Sequence, residues 1–415
     1  MLDRIPLIHV LTRTTVLIIA LWSPGPFVVQ AERLPLKTYN TADSLANNEI
    51  NKIFRDSRGF LWFCTAGGLS RFDGYAFINF ATENGLPDPA VNNLLEIRTG
   101  EYWLATNGGL VRFNPSGTPV NHVINANENL ASAKMFSMVM TDDHDQSISS
   151  ANALLEDHEG NLWCGTNKGL YRLERSSGVL TLHAIDLSIP KQYAAQSEIL
   201  SLIEDTNGSL WVATPSGLYQ RSRDGSTARY TKNDGLPTDY IQTLFIADQK
   251  RLWAGTRDSG FFEFSTDRVN SKVTITQSFN TRTGLPTGWI YELFETSDRK
   301  FWAATNEGLI EFHPDNKEGI RAYTNRNGLT YHEITALAED LSGNLWLGTS
   351  TAGAMKLARK GFQTYDEQDG IAVVNSIFED QAGGLCFRGA VIGDNRTSVF
   401  EGAQLDLLRS TRDVY

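Results

Sequence analysis

One short sequence frame recurs around seven tryptophans, and this repeat constrains the fold of the chain more than any other feature. The stretch GNLWCGTNKGLYRL at residues 160–173 returns as GSLWVATPSGLYQR at 208–221 and as GNLWLGTSTAGAMKL at 343–357. Successive anchors lie 41 to 60 residues apart, at Trp62, Trp103, Trp163, Trp211, Trp253, Trp302 and Trp346. An eighth copy, 40 residues further on, has Cys386 at the tryptophan position. Repetition at such a period is typical of solenoids and propellers.

The positions around each tryptophan keep one register in all copies. Twelve residues before each anchor stands an apolar residue, and these residues are Ile50, Val91, Ala151, Ile199, Ile241, Ile290, Ile334 and Val374. The first unit contains four short apolar runs separated by turn residues: Ile50–Arg55, Leu61–Thr65, Leu69–Phe72 and Tyr75–Phe80. Such runs indicate antiparallel strands, and four strands per ~40 to 50 residues predict the blade of a β-propeller. The tryptophan then lies in the second strand and packs between neighbouring blades rather than against a ligand.

The chain is therefore predicted to be all-β, a β-propeller of four-stranded antiparallel blades with essentially no helix after residue 31. In the favoured arrangement, Leu36–Tyr39 supplies the outer strand of the last blade, and residues 32–360 form a seven-bladed ring. Residues 361–415 then hold an eighth repeat that begins a truncated second propeller. In the alternative, Leu36–Tyr39 pairs with the eighth unit, Val374–Leu408, and closes a single eight-bladed ring.

The first residues and the composition favour a location outside the cytoplasm, periplasmic or secreted. Residues 1–31 have the arginines, the short apolar stretch and the small-residue cleavage site of a signal peptide, and no later stretch could cross a bilayer. The formal net charge of −11 disfavours nucleic acid and anionic membrane surfaces as partners. The three cysteines, which we expect to be small buried side chains in equivalent strands, are Cys64, Cys164 and Cys386.

The repeats resemble those of the two-component regulator propellers. The third unit, Ala151–Arg172, follows the family pattern of an inner strand, a Glu-Asp turn and a Leu-Trp-x-Gly-Thr-x-x-Gly-Leu stretch. The loop Asn84–Pro87, Asn-Gly-Leu-Pro, also looks like that family, and it recurs with one change at Asp234–Pro237 and Thr283–Pro286.

This resemblance implies the extracytoplasmic sensor of a membrane receptor, with a carbohydrate, often an oligosaccharide, as its ligand. In the family an Ig-like domain, a membrane helix and a histidine kinase or diguanylate cyclase usually follow the propellers. None of these is recognisable within the 415 residues. We therefore expect a sensor fragment that lacks the output domain and that forms a homodimer in the context of a full receptor.

The candidate ligand site is the face of the ring where the crossing loops between blades meet the loops between second and third strands. One column just before the inner strands is chemically diverse, and it reads Glu49, Ala90, Ser150, Glu198, Tyr240, Trp289, Glu333 and Val373. Aromatic faces beside fixed polar groups suit a sugar. The predicted ligand-binding residues are Glu49, Glu198, Tyr240, Trp289 and Glu333, with Asn107, Asn167, Arg257 and Asn306 on neighbouring loops. The alternative is a solvated rim that binds no ligand.

No sequence motif predicts catalysis, a cofactor or a metal ion. The Glu-Asp pairs recur at the end of the first strand on the opposite face, which favours a turn role over paired catalytic carboxylates; they include Glu156-Asp157, Glu204-Asp205 and Glu339-Asp340. The acidic run Asp142–Asp145 lacks metal-ligand spacing. Two other functions stay open: a secreted propeller enzyme acting on polysaccharide, as a lyase or glycosidase, and a protein-interaction scaffold.

Overall fold

The computed structural model describes residues 33–117, 134–141, 150–176, 179–248, 250–267, 272–314 and 319–359, together with four strands between residues 371 and 406. The predicted signal peptide at residues 1–31 and the acidic run Asp142–Asp145 lie outside the described residues. Within the described part of the chain, no helix has the length and apolar character needed to cross a membrane.

Strand β1 (Leu36–Tyr39) comes first in the chain and is followed by the blades in order. Blade 1 contains β2 (Ile50–Arg55), β3 (Leu61–Thr65), β4 (Gly68–Phe72) and β5 (Phe77–Phe80). Blade 2 contains β6 (Val91–Glu96), β7 (Tyr102–Thr106), β8 (Gly109–Phe113) and β9 (Phe136–Met138). Blade 3 contains β10 (Met140–Thr141), β11 (Ala151–Glu156), β12 (Leu162–Thr166), β13 (Gly169–Ser176) and β14 (Val179–Ile185), and its β10 pairs in parallel with β14.

The remaining blades follow the same plan. Blade 4 contains β15 (Ser201–Glu204), β16 (Leu210–Thr214), β17 (Gly217–Arg221) and β18 (Thr227–Tyr230). Blade 5 contains β19 (Ile241–Ala247), β20 (Arg251–Thr256), β21 (Phe261–Asp267) and β22 (Lys272–Phe279). Blade 6 contains β23 (Ile290–Glu295), β24 (Phe301–Thr305), β25 (Gly308–Phe312) and β26 (Ile320–Tyr323). Blade 7 contains β27 (Ile334–Glu339), β28 (Leu345–Thr349) and β29 (Ala354–Leu357).

The ring closes at seven blades. The inner strands of successive blades contact one another all the way round, and β27 of blade 7 contacts β2 of blade 1. Strand β1 completes blade 7 by pairing antiparallel with β29, from Leu36 opposite Leu357 to Tyr39 opposite Ala354. The favoured seven-bladed prediction is confirmed, and the eight-bladed alternative is wrong because the closing strand pairs within blade 7.

The eighth repeat forms a sheet of its own. Four antiparallel strands follow one another in order: β30 (Ile371–Glu379), β31 (Leu385–Val391), β32 (Asp394–Glu401) and β33 (Gln404–Asp406). Strand β31 pairs with β32 from Leu385 opposite Phe400 to Val391 opposite Asp394.

The repeated tryptophans fill the seams between blades, as predicted. The Trp62 ring is fully buried, and its centroid lies 5.6 Å from those of Tyr102 and Phe113 in blade 2. At the closing seam the Trp346 centroid of blade 7 lies 5.3 Å from that of Phe72 and 5.5 Å from that of Phe63 in blade 1. A four-stranded sheet has two faces to cover, and each blade covers its neighbour with these large apolar side chains.

The crossing loops between blades are held in place by a short helical turn and a leucine. Six 3-10 helices are the only helices among the described residues: Thr41–Asp43, Thr82–Asn84, Lys191–Gln196, Lys232–Asp234, Thr281–Thr283 and Asn325–Asn327. Gly85 ends its helix with a left-handed backbone, φ 94°, and Leu86 then turns into the core. In the Gly-Leu motif the glycine makes the turn, because it adopts that φ without strain, and the leucine anchors the loop in the core.

Candidate functional site at the channel mouth

The two faces of the ring carry different loops. The backbone N–H of Asn107, between the second and third strands of blade 2, donates to the carbonyl of Ala90 in the crossing loop at 3.1 Å. Asn167 and Ser150 make the same contact in blade 3 at 3.0 Å. The two kinds of loop therefore share one face, which we call the mouth face, as the sequence predicted. The hairpin turns between first and second and between third and fourth strands lie on the other face, the turn face.

On the turn face, an aspartate at the end of the inner strand holds both its own turn and the tryptophan of its blade. In blade 3, Asp157 Oδ1 accepts hydrogen bonds from the backbone N–H groups of Glu159 at 3.0 Å and Asn161 at 2.8 Å. Its Oδ2 accepts from Trp163 Nε1 at 2.8 Å. We call this arrangement the Trp–Asp clamp, and it recurs in the pairs Trp62–Asp56, Trp211–Asp205 and Trp346–Asp340.

Three blades lack the aspartate of this clamp, and in two of them no acceptor replaces it. Six residues before the tryptophan, blade 2 has Ile97 and blade 5 has Ala247. Neither side chain can accept a hydrogen bond, and the Nε1 atoms of Trp103 and Trp253 are buried without a hydrogen-bond partner. In blade 6 a threonine hydroxyl takes the place of the carboxylate, at 3.3 Å from Trp302 Nε1.

The glutamate of each Glu-Asp pair holds the turn of the preceding blade. Glu204 accepts a hydrogen bond from the backbone N–H of His158 at 2.7 Å, and Glu339 accepts from the backbone and hydroxyl of Ser297 at 2.8 and 2.9 Å. Burial opposes ionisation of Asp157, but hydrogen bonds from Trp163 and Asn161 outweigh it and hold its pKa below the ordinary value. The predicted turn role of the pairs is confirmed, since both carboxylates bind turn groups.

On the mouth face, an arginine lies against two aromatic rings. The guanidinium carbon of Arg257 is 4.5 Å from the centroid of Trp289 and 5.3 Å from that of Tyr240. Its Nη1 also lies 3.3 Å from the Tyr240 hydroxyl. The Trp289 ring in turn stacks on Tyr291 at 5.2 Å. We call these four side chains, from blades 5 and 6, the aromatic sector.

Glu333 of blade 7 adjoins the aromatic sector. One carboxylate oxygen accepts a hydrogen bond from the Tyr291 hydroxyl, and the other accepts from Ser350 Oγ at 2.7 Å. Burial raises the pKa of Tyr291, and the hydrogen bond to Glu333 raises it further, so the phenol stays protonated. Glu333 is therefore engaged within the protein and orients Tyr291.

Two buried polar atoms of blade 6 have no hydrogen-bond partner at the mouth. They are Trp289 Nε1, a donor, and Asn306 Oδ1, an acceptor. A buried polar group without a partner costs free energy, so such atoms are available to water or to a ligand.

A second group, the amide sector, lies across blades 2 to 4. Asn92 Nδ2 donates to Asn107 Oδ1 at 2.9 Å, and Ser150 Oγ lies 3.2 Å from the same oxygen. Ser150 Oγ also bonds Asn152 Oδ1 at 3.0 Å, and Asn152 Nδ2 donates to Glu198 at 3.0 Å. This chain of hydrogen bonds fixes the direction of each amide, so the sector presents a preorganised polar surface.

The structure brings most, but not all, of the predicted site residues together. Tyr240, Arg257, Trp289 and Glu333 form or adjoin the aromatic sector, and Asn306 belongs to the same blade as Trp289; Asn107 and Glu198 belong to the amide sector. Glu49 is exposed, and its side chain makes no hydrogen bond to another described residue. Asn167 lines a different cavity of about 520 Å³, beside the 3-10 helix Lys191–Gln196.

Sequence reasoning missed Asn92, Asn152 and Tyr291. Each stands two residues after a member of the diverse column, and side chains two apart in a strand point to the same side. The two-residue period of the inner strands would therefore have identified these three residues from the sequence. These residues line a cavity of about 520 Å³ in the central channel.

A charged pair crosses the channel below the mouth. Lys52 of blade 1 forms an ion pair with Glu292 of blade 6, and the second oxygen of Glu292 accepts from the backbone N–H of Leu337 at 2.7 Å. The pair spans blade 7, where the equivalent residue is the small Ala336.

The cysteines of the ring are structural. Cys64 and Cys164 are free and fully buried, and burial raises the pKa of Cys164 to about 12. A thiol held protonated in this way is a poor nucleophile and a poor metal ligand. The side chain of Cys386 lies outside the described residues. Among the described residues there is no group of three His, Cys, Asp or Glu side chains placed to hold a metal ion.

The seven blades, each with four antiparallel strands and blade 3 with a fifth, parallel strand, make residues 33–359 a seven-bladed β-propeller. The family model described as two component regulator propeller matches it at residues 44–67 and 145–168. These two stretches thus match the two-component regulator propeller repeat that the sequence resembles. A comparison with curated proteins gave no match.

Solved structures with the same fold come from several kinds of protein. The extracellular domain of a hybrid two component system from B. thetaiotaomicron has a TM-score of 0.67 and 21% identity, over 91% of this chain and 49% of that one. PorZ, a surface component of the type-IX secretion system of Porphyromonas gingivalis, has a TM-score of 0.58 and 16% identity, over 83% of this chain and 51% of that one. Virginiamycin B lyase from Staphylococcus aureus has a TM-score of 0.57 and 12% identity, over 79% of this chain and 99% of that one. At these identities the likeness shows the fold alone.

The chain spans about half the length of the B. thetaiotaomicron extracellular domains that it resembles, 49% of one and 48% of another.

Proposed function

We propose that this chain is the ligand-sensing propeller of an extracytoplasmic receptor and that a carbohydrate binds at the aromatic sector of the mouth face. The observation that carries the proposal is the pairing of Tyr240 and Trp289 around Arg257 in a column that differs from blade to blade. Columns that serve packing keep one chemical type, as the apolar column from Ile50 to Ile334 does, whereas this column mixes acidic, small and aromatic residues. Diverse residues on loops of fixed geometry are the usual place for binding.

The chemistry of the aromatic sector fits a sugar ring. The C–H face of a sugar packs against an indole or phenol ring, and its hydroxyls need donors and acceptors at the ring edge. Trp289 Nε1 and Asn306 Oδ1 supply one donor and one acceptor that have no partner. The hydrogen-bonded amides of Asn92 and Asn107 lie on the other side of the channel and extend the polar surface.

The receptor role is supported by the family of the repeats, whose description places it among two-component regulators. It is also supported by the shared fold with an extracellular domain of a hybrid two component system. An extracytoplasmic location agrees with the signal peptide that the sequence predicts. In this proposal ligand occupancy is passed to an output module of a longer receptor, and the propeller binds its ligand without transforming it.

The test is a glycan array followed by calorimetry on matched variants. We expect Tyr240→Ala and Trp289→Ala each to weaken binding of a captured glycan by about ten-fold or more, because each removes a stacking face. Tyr75→Ala is the control, since Tyr75 is an aromatic side chain that is 95% exposed in a hairpin turn on the turn face. Equal binding by Trp289→Ala and the unaltered protein would refute the site.

A propeller enzyme is the second candidate, because lyases are among the structures that share the fold. The same captured glycan decides between the two. Incubation with the unaltered protein, followed by mass spectrometry, should return the glycan intact. Cleavage that Trp289→Ala abolishes would establish an enzyme at the same site.

A further inference from the structure

Arg257 has no acidic partner among the described residues. Its only described contacts are the two aromatic rings and the Tyr240 hydroxyl. The neighbouring carboxylate of Asp258 faces the hydroxyls of Thr238 at 3.3 Å and Ser259 at 2.8 Å. Glu333 is engaged by Tyr291 and Ser350.

This lack of a partner stands out in a chain of net charge −11. On the turn face, arginines are paired: Arg299 bonds Asp248 at 2.5 Å and Glu295 at 2.7 Å, and Arg359 bonds Glu339 at 3.1 Å. Arg257 is exposed at the mouth instead. No carboxylate among the described residues neutralises its positive charge, so the charge can attract an anionic ligand.

The aromatic rings hold the guanidinium ready for an anion. Cation–π contacts fix its position over Trp289 and Tyr240 and leave N–H groups at its edge free to donate. Guanidinium edges bind carboxylate and sulfate groups through paired charge-assisted hydrogen bonds. A sugar stacked on these rings would bring a substituent at its rim to the guanidinium.

We propose that the aromatic sector selects an acidic saccharide, with Arg257 binding its carboxylate or sulfate group. This inference rests on the proposed function, since it names the chemical class of the ligand at the same site. Arg257 sets the preference for an acidic over a neutral sugar, while Tyr240 and Trp289 bind the sugar face common to both. The preference weakens as ionic strength rises, because salt screens an exposed charge.

The test compares matched glycans that differ only in charge. Cellobiouronic acid with cellobiose, and 6′-sulfated lactose with lactose, are measured by calorimetry alongside an array of uronate-containing and sulfated glycans and their neutral forms. We expect at least one acidic member to bind about ten-fold or more tightly than its neutral counterpart. The carboxylate and sulfate pairs show which acidic group is recognised.

Variants of Arg257 separate charge recognition from support of the rings. Arg257→Gln should weaken binding of the acidic member about ten-fold or more relative to the neutral member and so abolish the preference, and Arg257→Lys should keep part of the preference. An equal loss for acidic and neutral members would overturn the inference and make Arg257 a support for the rings. Neutral binding that depends on Trp289, with no acidic preference, would refute the acidic ligand and leave the proposed function intact. Failure of every glycan to bind would refute both.

Discussion

The two faces of the ring use repetition in opposite ways. On the turn face, carboxylates recur at the same positions in most blades, and each binds a turn, a tryptophan or the neighbouring blade. On the mouth face, the column before the inner strands holds five residue types in seven blades. Its members have different partners: Trp289 stacks on Tyr291, while Glu198 accepts from Asn152. Residues that recur at one position in most blades therefore stabilise every blade in the same way. Residues that differ from blade to blade at one position have a role in one part of the ring only.

The blades that lack the Trp–Asp clamp refine this comparison. Blades 2 and 5 form complete sheets although Trp103 and Trp253 have no hydrogen-bond partner. Burial of the indole is thus enough to form the seam, and the clamp adds stability to it. The largest effects should follow loss of the indole, and smaller ones should follow loss of its carboxylate.

Trp163→Ala should lower the free energy of unfolding by ~3 to 5 kcal/mol, because a large buried aromatic side chain leaves a cavity. Trp289→Ala, at the mouth, is the matched control and should cost about 1 kcal/mol, since its ring is only partly buried. Urea unfolding followed by circular dichroism measures both. Equal losses would remove the distinction between the seam and the mouth.

Asp157→Ala should cost about 1 to 3 kcal/mol, because it leaves Trp163 Nε1 and two backbone N–H groups without an acceptor. Asp73→Ala is the control: Asp73 also accepts two backbone N–H groups in a turn, at 2.9 Å each, but binds no tryptophan and is exposed. A loss for Asp73→Ala as large as that for Asp157→Ala would show that the turn, and not the clamp, is responsible.

Acid should weaken the ring partly through the clamps. The pKa of Asp157 and that of Asp340 are both lowered from the ordinary 3.8, since hydrogen bonds from the clamp outweigh burial. The folded state then binds fewer protons than the unfolded state, so this stability is present above pH 3.8 and is lost as pH falls through the lowered pKa values. In urea titrations from pH 6 to about pH 2.5, the Asp157→Asn, Asp340→Asn double variant should lose less stability than the unaltered protein. An unchanged slope would contradict the assignment.

The smallest effect tests the clamp by adding one. Gly100 turns blade 2 in the same way as Gly160 turns blade 3, with φ values of 81° and 88°. An aspartate at position 97 would therefore face Trp103 Nε1. Ile97→Asp should be more stable than Ile97→Ala by about 1 kcal/mol, because it supplies the missing acceptor. A less stable Asp variant would show that this turn cannot form the clamp.

The sequence predicted the fold closely, and it singled out several residues that the structure brings together in the candidate site, whose role stays a prediction. The eight ungapped copies predicted the positions of the strands. The similarity of Leu36–Tyr39 to an outer strand predicted how the ring closes, and the pairing of β1 with β29 confirms it. The sequence did not predict that each clamp aspartate accepts a hydrogen bond from a tryptophan. The bond from Trp163 Nε1 to Asp157 depends on how the turn between the two strands folds back. The boundary expected at residue 360 stays a prediction.

At the mouth, the diverse column located Tyr240 and Trp289 but not Tyr291 or Asn152, which belong to the next inward-facing position of the same strands. Residue identity also gave no sign that Glu333 would be engaged by Tyr291, because that contact crosses from blade 6 to blade 7. Contacts between blades form only when the ring closes, so the sequence of a single repeat does not predict them.

The most direct test of the division between the faces is hydroxyl-radical footprinting with and without a bound glycan. Protection should concentrate on Tyr240 and Trp289 at the mouth, with Tyr75 on the turn face labelled equally in both states. Stacking on a sugar excludes solvent from the aromatic rings, and no ligand approaches the turn face in this account. Protection of Tyr75, or unchanged labelling of Trp289 at saturating ligand, would contradict the central claim that the varied face binds and the repeated face stabilises.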